Sequence, residues 1–211
     1  MICVSIGDPS QIAPTVAMGT RLLELRLDLL RSRPEELFPV IPEGIETVVT
    51  CRPGSYNDQE RIVLLSDAIA LGATYVDLEL ESPDEFTGPL LEAADRHGCK
   101  VIISHHDFEE TPGRKILGNK LEQCFERGGA IAKIATQVHS KEDVINLLSL
   151  YSLPGRKVVL GMGADGRITR VVGPYLGAEF TFASPGEGNE TAPGQLDAEQ
   201  LIAIYKVIDA S

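Results

Sequence analysis

The stretch Leu22-Leu23-Glu24-Leu25-Arg26-Leu27-Asp28-Leu29 alternates leucines with charged residues from its second position onward. Because successive side chains of a β-strand point to opposite faces, it predicts a strand with leucines on one face and charges on the other. The central strands of an open parallel sheet are covered on both faces and read as continuous apolar runs. The alternation therefore favours a closed barrel, whose interior receives Glu24, Arg26 and Asp28.

Seven further strand-like segments are spread along the chain and are separated by helical patterns or turn residues. Strands alternating with helices indicate a parallel sheet, and a count of eight favours the α/β (β/α)8 TIM barrel. No linker or composition shift marks a second domain, so residues 1–211 are expected to form a single barrel domain. The other predicted strands are residues 2–6, 47–52, 75–81, 101–108, 129–136, 157–163 and 180–184.

Helices are predicted in the intervals between these strands. Ser140 is a candidate N-cap, because a serine side chain accepts a hydrogen bond from a free amide of the first turn, and Ser32 lies near the start of another helix. A Gly/Pro-rich loop over residues 185–194 precedes the last helix. Helices are predicted over residues 9–20, 32–37, 58–71, 82–98, 114–127, 141–151, 168–176 and 196–208.

Composition excludes several classes of function. The net charge of −12 repels phosphate groups and argues against nucleic-acid and anionic-membrane partners. No apolar run is long enough for a membrane span, and no basic region precedes an apolar run at the N-terminus. Four widely spaced cysteines without a C-x-x-C pair are expected to be reduced thiols. These features together predict a cytoplasmic location.

Chemistry-bearing side chains are predicted at the carboxyl ends of the strands, where the active sites of such barrels lie. Lys133 lies within the small, apolar strand 129–136, and His106 ends the preceding strand. A desolvated lysine can supply a neutral amine that forms an imine with a ketone or aldehyde, and a histidine can then shuttle the α-proton. The inward alternation also selects Asp77, Glu79 and Arg52, and arginines suit a carboxylate substrate. An ion-pair network that only plugs the barrel remains the alternative.

Seven motifs occur in order along the chain: Glu-Leu-Arg-Leu-Asp (24–28), Thr-Cys-Arg (50–52), Val-Asp-Leu-Glu (76–79), Ser-His-His-Asp-Phe (104–108), Ala-Lys-Ile-Ala (132–135), Gly-Arg-Ile-Thr-Arg (166–170) and Ala-Pro-Gly-Gln (192–195). Together they resemble the type I 3-dehydroquinate dehydratases, from the second strand to the last helix. The resemblance implies a barrel, usually a homodimer, that eliminates water from 3-dehydroquinate to give 3-dehydroshikimate in the shikimate pathway. It implies an imine mechanism without a metal or other cofactor.

The resemblance also assigns roles to positions of this sequence. Lys133 would form the imine, and His106 would be the general acid and base. Arg170 would pair with the substrate carboxylate, and Thr191 matches a small hydroxyl residue on the loop that closes over the substrate. The remaining substrate contacts would come from Glu24, Arg26, Arg52 and Gln195, with Asp28, Asp77 and Glu79 in support.

One segment departs from the family pattern. The family usually carries Glu-Gly-Gly shortly after the arginine that matches Arg52, and its glutamate supports the catalytic histidine. This chain has Pro53-Gly54-Ser55-Tyr56-Asn57-Asp58 instead. Support for His106 is then expected from Asp77 or Glu79, or is weaker. His105 occupies a position that is often aromatic in the family, and it is interpreted as a packing residue rather than a second acid or base.

Two other functions stay open at the level of sequence. One alternative is another imine-forming aldolase or lyase, which for a sugar phosphate would need a phosphate site near Gly161-Met162-Gly163. The other is a non-catalytic barrel that binds a shikimate-type ligand and acts as a sensor. The presence of both Lys133 and His106 argues against the sensor.

Overall fold

A sheet of eight parallel strands forms the centre of the molecule. The computed structural model describes residues 1–210, and its strands are hydrogen-bonded in the order β7-β6-β5-β4-β3-β2-β1-β8. The strands are β1 (Ile2–Ile6), β2 (Leu22–Arg26), β3 (Glu46–Thr50), β4 (Tyr75–Glu79), β5 (Lys100–Asp107), β6 (Ile131–Gln137), β7 (Lys157–Met162) and β8 (Thr181–Ala183).

The sheet curls into a nearly closed ring. The end strands β7 and β8 are not paired with each other, and we call the gap between them the seam. At its amino-terminal end, the amide of Glu179 donates to the carbonyl of Lys157 at 3.0 Å. Helices separate consecutive strands, so the predicted (β/α)8 barrel in a single domain is confirmed.

The helices surround the barrel, and several begin with a side-chain cap. Ser140 accepts from the amide of Asp143 as predicted, and Asn57 and Asp197 cap two other helices in the same way. No helix within residues 1–210 is long and apolar enough to cross a membrane. The helices are α1 (Ile12–Ala17), α2 (Leu27–Leu30), α3 (Pro34–Leu37), α4 (Asp58–Ala70), α5 (Asp84–His97), α6 (Arg114–Glu126), α7 (Lys141–Ser149), α8 (Arg167–Val172) and α9 (Ala198–Asp209).

Two apolar layers stabilise the fold. The larger one lies between strands and helices and includes the leucines at 23, 25 and 27. The smaller one fills the barrel, where side chains from Leu22, Tyr75 and Phe180 pack together. Glu24, Asp77 and Lys133 follow on the inward-facing positions, so the charged groups lie above an apolar floor.

The structure refines the sequence prediction at three places. The second strand ends at Arg26, and Asp28 lies in α2 rather than on an inward-facing strand position. A helical turn is favoured there because it buries Leu27 and Leu30 together, whereas in a strand these two side chains would point to opposite faces. Helix α3 begins at Pro34 with Arg33 as its N-cap residue, so Ser32 lies one residue before the cap. The predicted helix 168–176 divides into α8 and a 3-10 turn over Gly173–Leu176.

Candidate active site

A cavity of about 520 Å³ opens at the carboxyl ends of the strands. Its wall mixes charged groups with apolar ones, among them Leu160, Met162 and Phe182. Asp28 and Asp77 do not line it. The predicted residues in its wall are Glu24, Arg26, Arg52, Glu79, His106, Lys133, Arg170, Thr191 and Gln195.

Lys133 reaches the cavity from β6 and is 5% exposed. Its Nζ atom donates to Asp77 Oδ2 at 2.9 Å and lies 4.4 Å from the centre of the Phe182 ring. Asp77 Oδ1 accepts from Arg52 Nη2 at 3.0 Å and from Ser104 at 2.6 Å. Burial opposes ionisation of Asp77, but Arg52 and Lys133 outweigh it and hold its pKa well below the usual range. The amine is therefore held at one point by a carboxylate that stays charged.

His106 stands beside this pair on the neighbouring strand. In the parallel register Ser104 lies opposite Lys133, and His106 is two residues further along the same face of β5. Burial lowers the pKa of His106 well below its usual value, and the charges of Arg52 and Lys133 lower it further. The imidazole is thus neutral at pH 7 and able to accept a proton. The Phe108 ring stacks on it, with centroids 6.0 Å apart.

Glu24 is held by hydroxyl groups on both sides. Ser5 Oγ donates to its Oε2 atom at 2.5 Å, and Thr50 Oγ1 donates to Oε1 at 2.9 Å. Gln195 Nε2 in turn donates to Ser5 Oγ at 3.3 Å. The arrangement joins β1, β2 and β3 to the loop before α9.

Arg26 connects the barrel to the loop between β8 and α9. Its Nε and Nη2 atoms donate to the two carboxylate oxygens of Asp28, at 3.0 and 2.7 Å. This bidentate pairing fixes the plane of the guanidinium group. Its Nη1 atom donates to the carbonyl of Thr191 at 3.3 Å, and the amide of Thr191 donates to Gln195 Oε1 at 2.9 Å. Asp28 therefore supports the site through Arg26.

Arg170 is a buried cation that lacks a carboxylate partner within residues 1–210. It is 1% exposed, its Nη1 atom donates to the carbonyl of Phe182 at 3.4 Å, and its Nε atom has no hydrogen-bond partner. Burial lowers its pKa to about 10. An unpaired buried charge is costly, so the cavity has a strong preference for an anion beside this group.

Several residues of the site were not selected from the sequence. Ser5 and Ser104 are single hydroxyls inside apolar strands, and that isolated polarity was the available signal. The sequence carries no such signal for Phe182, Leu160 and Met162, because an apolar residue in a strand is most often an ordinary core residue. Their position in the cavity wall depends on strand alternation and on where each strand ends.

The chain matches the model of the type I 3-dehydroquinase family over residues 2–211. It is 36% identical to the 3-dehydroquinate dehydratase of Methanocaldococcus jannaschii, covering 99% of both chains.

The chain belongs to the type I 3-dehydroquinase family.

The fold agrees with solved structures of this family. The 3-dehydroquinate dehydratase of Geobacillus kaustophilus superposes with a TM-score of 0.88 at 24% identity, covering 99% of this chain and 91% of the other. The Aquifex aeolicus enzyme gives a TM-score of 0.84 at 29% identity and 98% coverage of both chains. Family membership confirms the resemblance drawn from the seven motifs. This type I 3-dehydroquinase thus carries its charged cavity on the fold that its relatives share.

Proposed function

We propose that this chain eliminates water from 3-dehydroquinate to give 3-dehydroshikimate, through an imine on Lys133. The observation that carries the proposal is the placement of Lys133, His106 and the unpaired Arg170 around one cavity. An amine, a neutral imidazole and an anion-binding guanidinium are the groups needed to process a ketone that bears a carboxylate.

Substrate binding begins with the carboxylate. Paired with Arg170, it supplies the counter-charge that no carboxylate of residues 1–210 provides, and it orients the ring. Glu24, Arg26 and Gln195 then contact ring hydroxyls from the side of β2 and the β8–α9 loop. Arg52 orders the site through Asp77, and Thr191 contributes from the loop above.

Imine formation uses the neutral amine. Lys133 passes a proton to the neutral His106, and its lone pair then attacks the C3 carbonyl carbon. His106 returns that proton to the oxygen and relays a second one to it from the nitrogen, so that the oxygen leaves as water. The product is a protonated imine that draws electrons from C2.

Elimination then proceeds in two proton transfers. His106 removes a C2 proton, and the bonding electrons move into a C2–C3 double bond to give an enamine. The enamine pushes out the C1 hydroxyl, which takes the proton from His106 and leaves as water. Hydrolysis of the resulting conjugated imine releases the enone and regenerates Lys133.

The sugar-phosphate alternative is disfavoured by the end of β7. The amide of Gly161 donates to Thr169 Oγ1 at 2.7 Å, and the amide of Gly163 donates to the carbonyl of Pro193 at 3.2 Å. Both amides are therefore occupied and do not form a phosphate site. The sensor alternative would show ligand-induced stabilisation without turnover.

Borohydride trapping with 3-dehydroquinate tests the proposal. We expect a reduced adduct on the peptide containing Lys133, none on Lys157, the other buried lysine, and a rise in enone absorbance without borohydride. Lys133→Ala should lose turnover by about 10⁴-fold or more while still binding the ligand. Neither adduct nor absorbance change in the wild type would reject the dehydratase.

We also propose, from the family resemblance, that the chain works as a homodimer in the cytoplasm. Light scattering at micromolar concentration would give twice the monomer mass. A monomer with full activity would reject the dimer as a requirement.

A further inference from the structure

The loop that follows β3 offers no carboxylate to His106. It places Pro53 in the cavity wall, and the first acid after it, Asp58 at the start of α4, pairs instead with Arg61 Nη1 at 2.7 Å. A carboxylate that orients His106 must therefore come from another element.

Asp77 is already occupied. One of its oxygens accepts from Arg52 and Ser104, and the other accepts from Lys133. Both oxygens are thus engaged in holding the amine and the guanidinium, and no hydrogen bond joins Asp77 to His106 in the described chain.

Glu79 is differently placed. It ends β4 opposite Ser104, so its side chain lies beside His106 on the same inward face. Its Oε1 atom is 4.0 Å from His106 Nδ1 and 3.3 Å from Arg52 Nη1. Within residues 1–210 the Glu79 carboxylate accepts no hydrogen bond. It is therefore free to accept one from the imidazole.

Arg61 holds the other side of the same carboxylate. Its Nη2 atom lies 3.8 Å from Glu79 Oε2, and its Nε atom donates to the carbonyl of Cys51 at 2.9 Å. The guanidinium carbon stacks 4.3 Å from the centre of the Phe86 ring. Arg61 is thus rigidly placed, and Glu79 is clamped between two arginines with Oε1 directed at His106.

We propose that Glu79 is a positioning residue for His106, keeping the Nδ1 proton directed at its carboxylate so that Nε2 is left to exchange protons with the substrate. A gap of 4.0 Å closes with a small side-chain movement when the cavity fills, as catalytic hydrogen bonds commonly do. The negative charge also stabilises the imidazolium that exists between removal of the C2 proton and departure of the hydroxyl. This inference rests on the proposed function.

The charge of Glu79 acts on the protonation of His106 together with the other charges around the imidazole. Removing the charge of Glu79 leaves the nearby cations less compensated, so the imidazolium becomes harder to form. The acid limb of kcat/KM, which reports protonation of the base in the free enzyme, then moves to lower pH. The charged and titratable groups around His106 are Arg52, Asp77, Glu79, His105 and Lys133.

Glu79→Gln tests the proposal, with Glu81→Gln as its matched control. Glu81 accepts from His105 at 2.5 Å outside the barrel and does not line the cavity. We expect Glu79→Gln to lower kcat at pH 7 by about tenfold or more, and to shift the acid limb down by about one pH unit. KM should change by less than about threefold, and borohydride should still trap substrate on Lys133. Glu81→Gln should match the wild type in all of these.

A wild-type kcat and acid limb in Glu79→Gln would overturn the proposal. An effect on KM alone would also do so, since it would make Glu79 a binding group. If the wild type itself forms no adduct and no enone, the dehydratase has failed, and the positioning role is judged by the next measurement alone.

The histidine tautomer gives that second readout in the unmodified protein. Nitrogen-15 spectra of histidine-labelled enzyme, with His106 assigned by its absence in His106→Gln, should show the neutral ring protonated at Nδ1. A neutral ring protonated at Nε2 would overturn the proposal, whether or not the Glu79 variants fold.

Discussion

The Nζ atom of Lys133 lies 2.9 Å from Oδ2 of Asp77, whose side chain is fully buried while that of Lys133 is 7% exposed. The same carboxylate also accepts from Arg52 and Ser104, so one acid pairs with two cations of the cavity wall. Asp77 thus joins β3, β4, β5 and β6 at the level where the chemistry would occur.

Asp77→Asn should destabilise the protein by about 3–5 kcal/mol at pH 7, because it leaves the buried Lys133 without its counter-charge and removes one of the two carboxylates beside Arg52. The folded-state pKa of Asp77 is depressed, so its contribution is complete above the unfolded value of about 3.9 and is lost as the pH falls through the folded value. The difference between wild type and variant should therefore be constant from about pH 5 to 8 and shrink below about pH 4. Urea unfolding measures it.

The exposed Asp95 on α5 is the control for that measurement. Asp95→Asn should change the free energy of unfolding by less than about 0.5 kcal/mol. An Asp77→Asn protein as stable as this control would contradict the charge-balancing role.

Arg170→Met should separate stability from substrate binding. It replaces a buried cation, whose Nε atom has no partner, with an apolar side chain of similar length, so the empty protein should gain about 1–2 kcal/mol. Losing two charge-assisted hydrogen bonds to a carboxylate should cost about 3 kcal/mol, or roughly 100-fold in kcat/KM. Thermal unfolding without ligand tests the predicted gain in stability, and steady-state kinetics test the predicted loss in kcat/KM. A variant less stable than the wild type without ligand would contradict the first prediction.

His106→Ala should slow turnover by about 10²–10⁴-fold while leaving the Lys133 adduct trappable. In the wild type, burial and neighbouring cations keep the pKa of His106 low, so the base is already neutral at pH 7. We expect kcat/KM to stay flat as the pH falls from 7 to about 6.5, the ordinary histidine value, and to drop only below it. An acid limb centred above pH 7 would contradict this assignment.

Gly194→Ala should impair the β8–α9 loop more than Gly188→Ala does. Both glycines have left-handed backbones, with φ of +72° and +78°, so an alanine is similarly strained at either position. Only at Gly194 would the added Cβ meet a backbone atom, the carbonyl oxygen of Gly163, at 2.1 Å. Overpacking of about 1–3 kcal/mol should displace Gln195 and lower kcat/KM about tenfold or more beyond the control. Equal kinetics in the two variants would contradict this contact.

Sequence patterns predicted the barrel well because its signal is periodic. The leucines of β2 and the carboxylates of β4 repeat every second residue, and that period alone directs Glu24 and Asp77 inward. The same pattern failed at Asp28, because a period of two over four residues cannot be distinguished from a helical turn that buries Leu27 and Leu30.

The contacts of the candidate site were less predictable than its members. Lys133 and His106 could be selected from the sequence because each is an ionisable residue in an apolar strand. The choice of Glu79 over Asp77 beside His106 depends on strand register and on Arg61 reaching back from α4, which no local pattern encodes.

The seam between β7 and β8 makes this part of the barrel less stable against local opening than the rest. Strand β8 has three residues and pairs with β1 alone, so its amide hydrogens should exchange through local opening well before those of β4 to β6. Arg170, on the helix that connects the two edges, donates to β8 at Phe182. A substrate carboxylate held by Arg170 would bind only the form in which β8 is closed. Saturation with substrate would then slow amide exchange through local opening of β8. Bound substrate would therefore stabilise the closed ring at the seam, and local opening of β8 would be least frequent in the enzyme saturated with substrate.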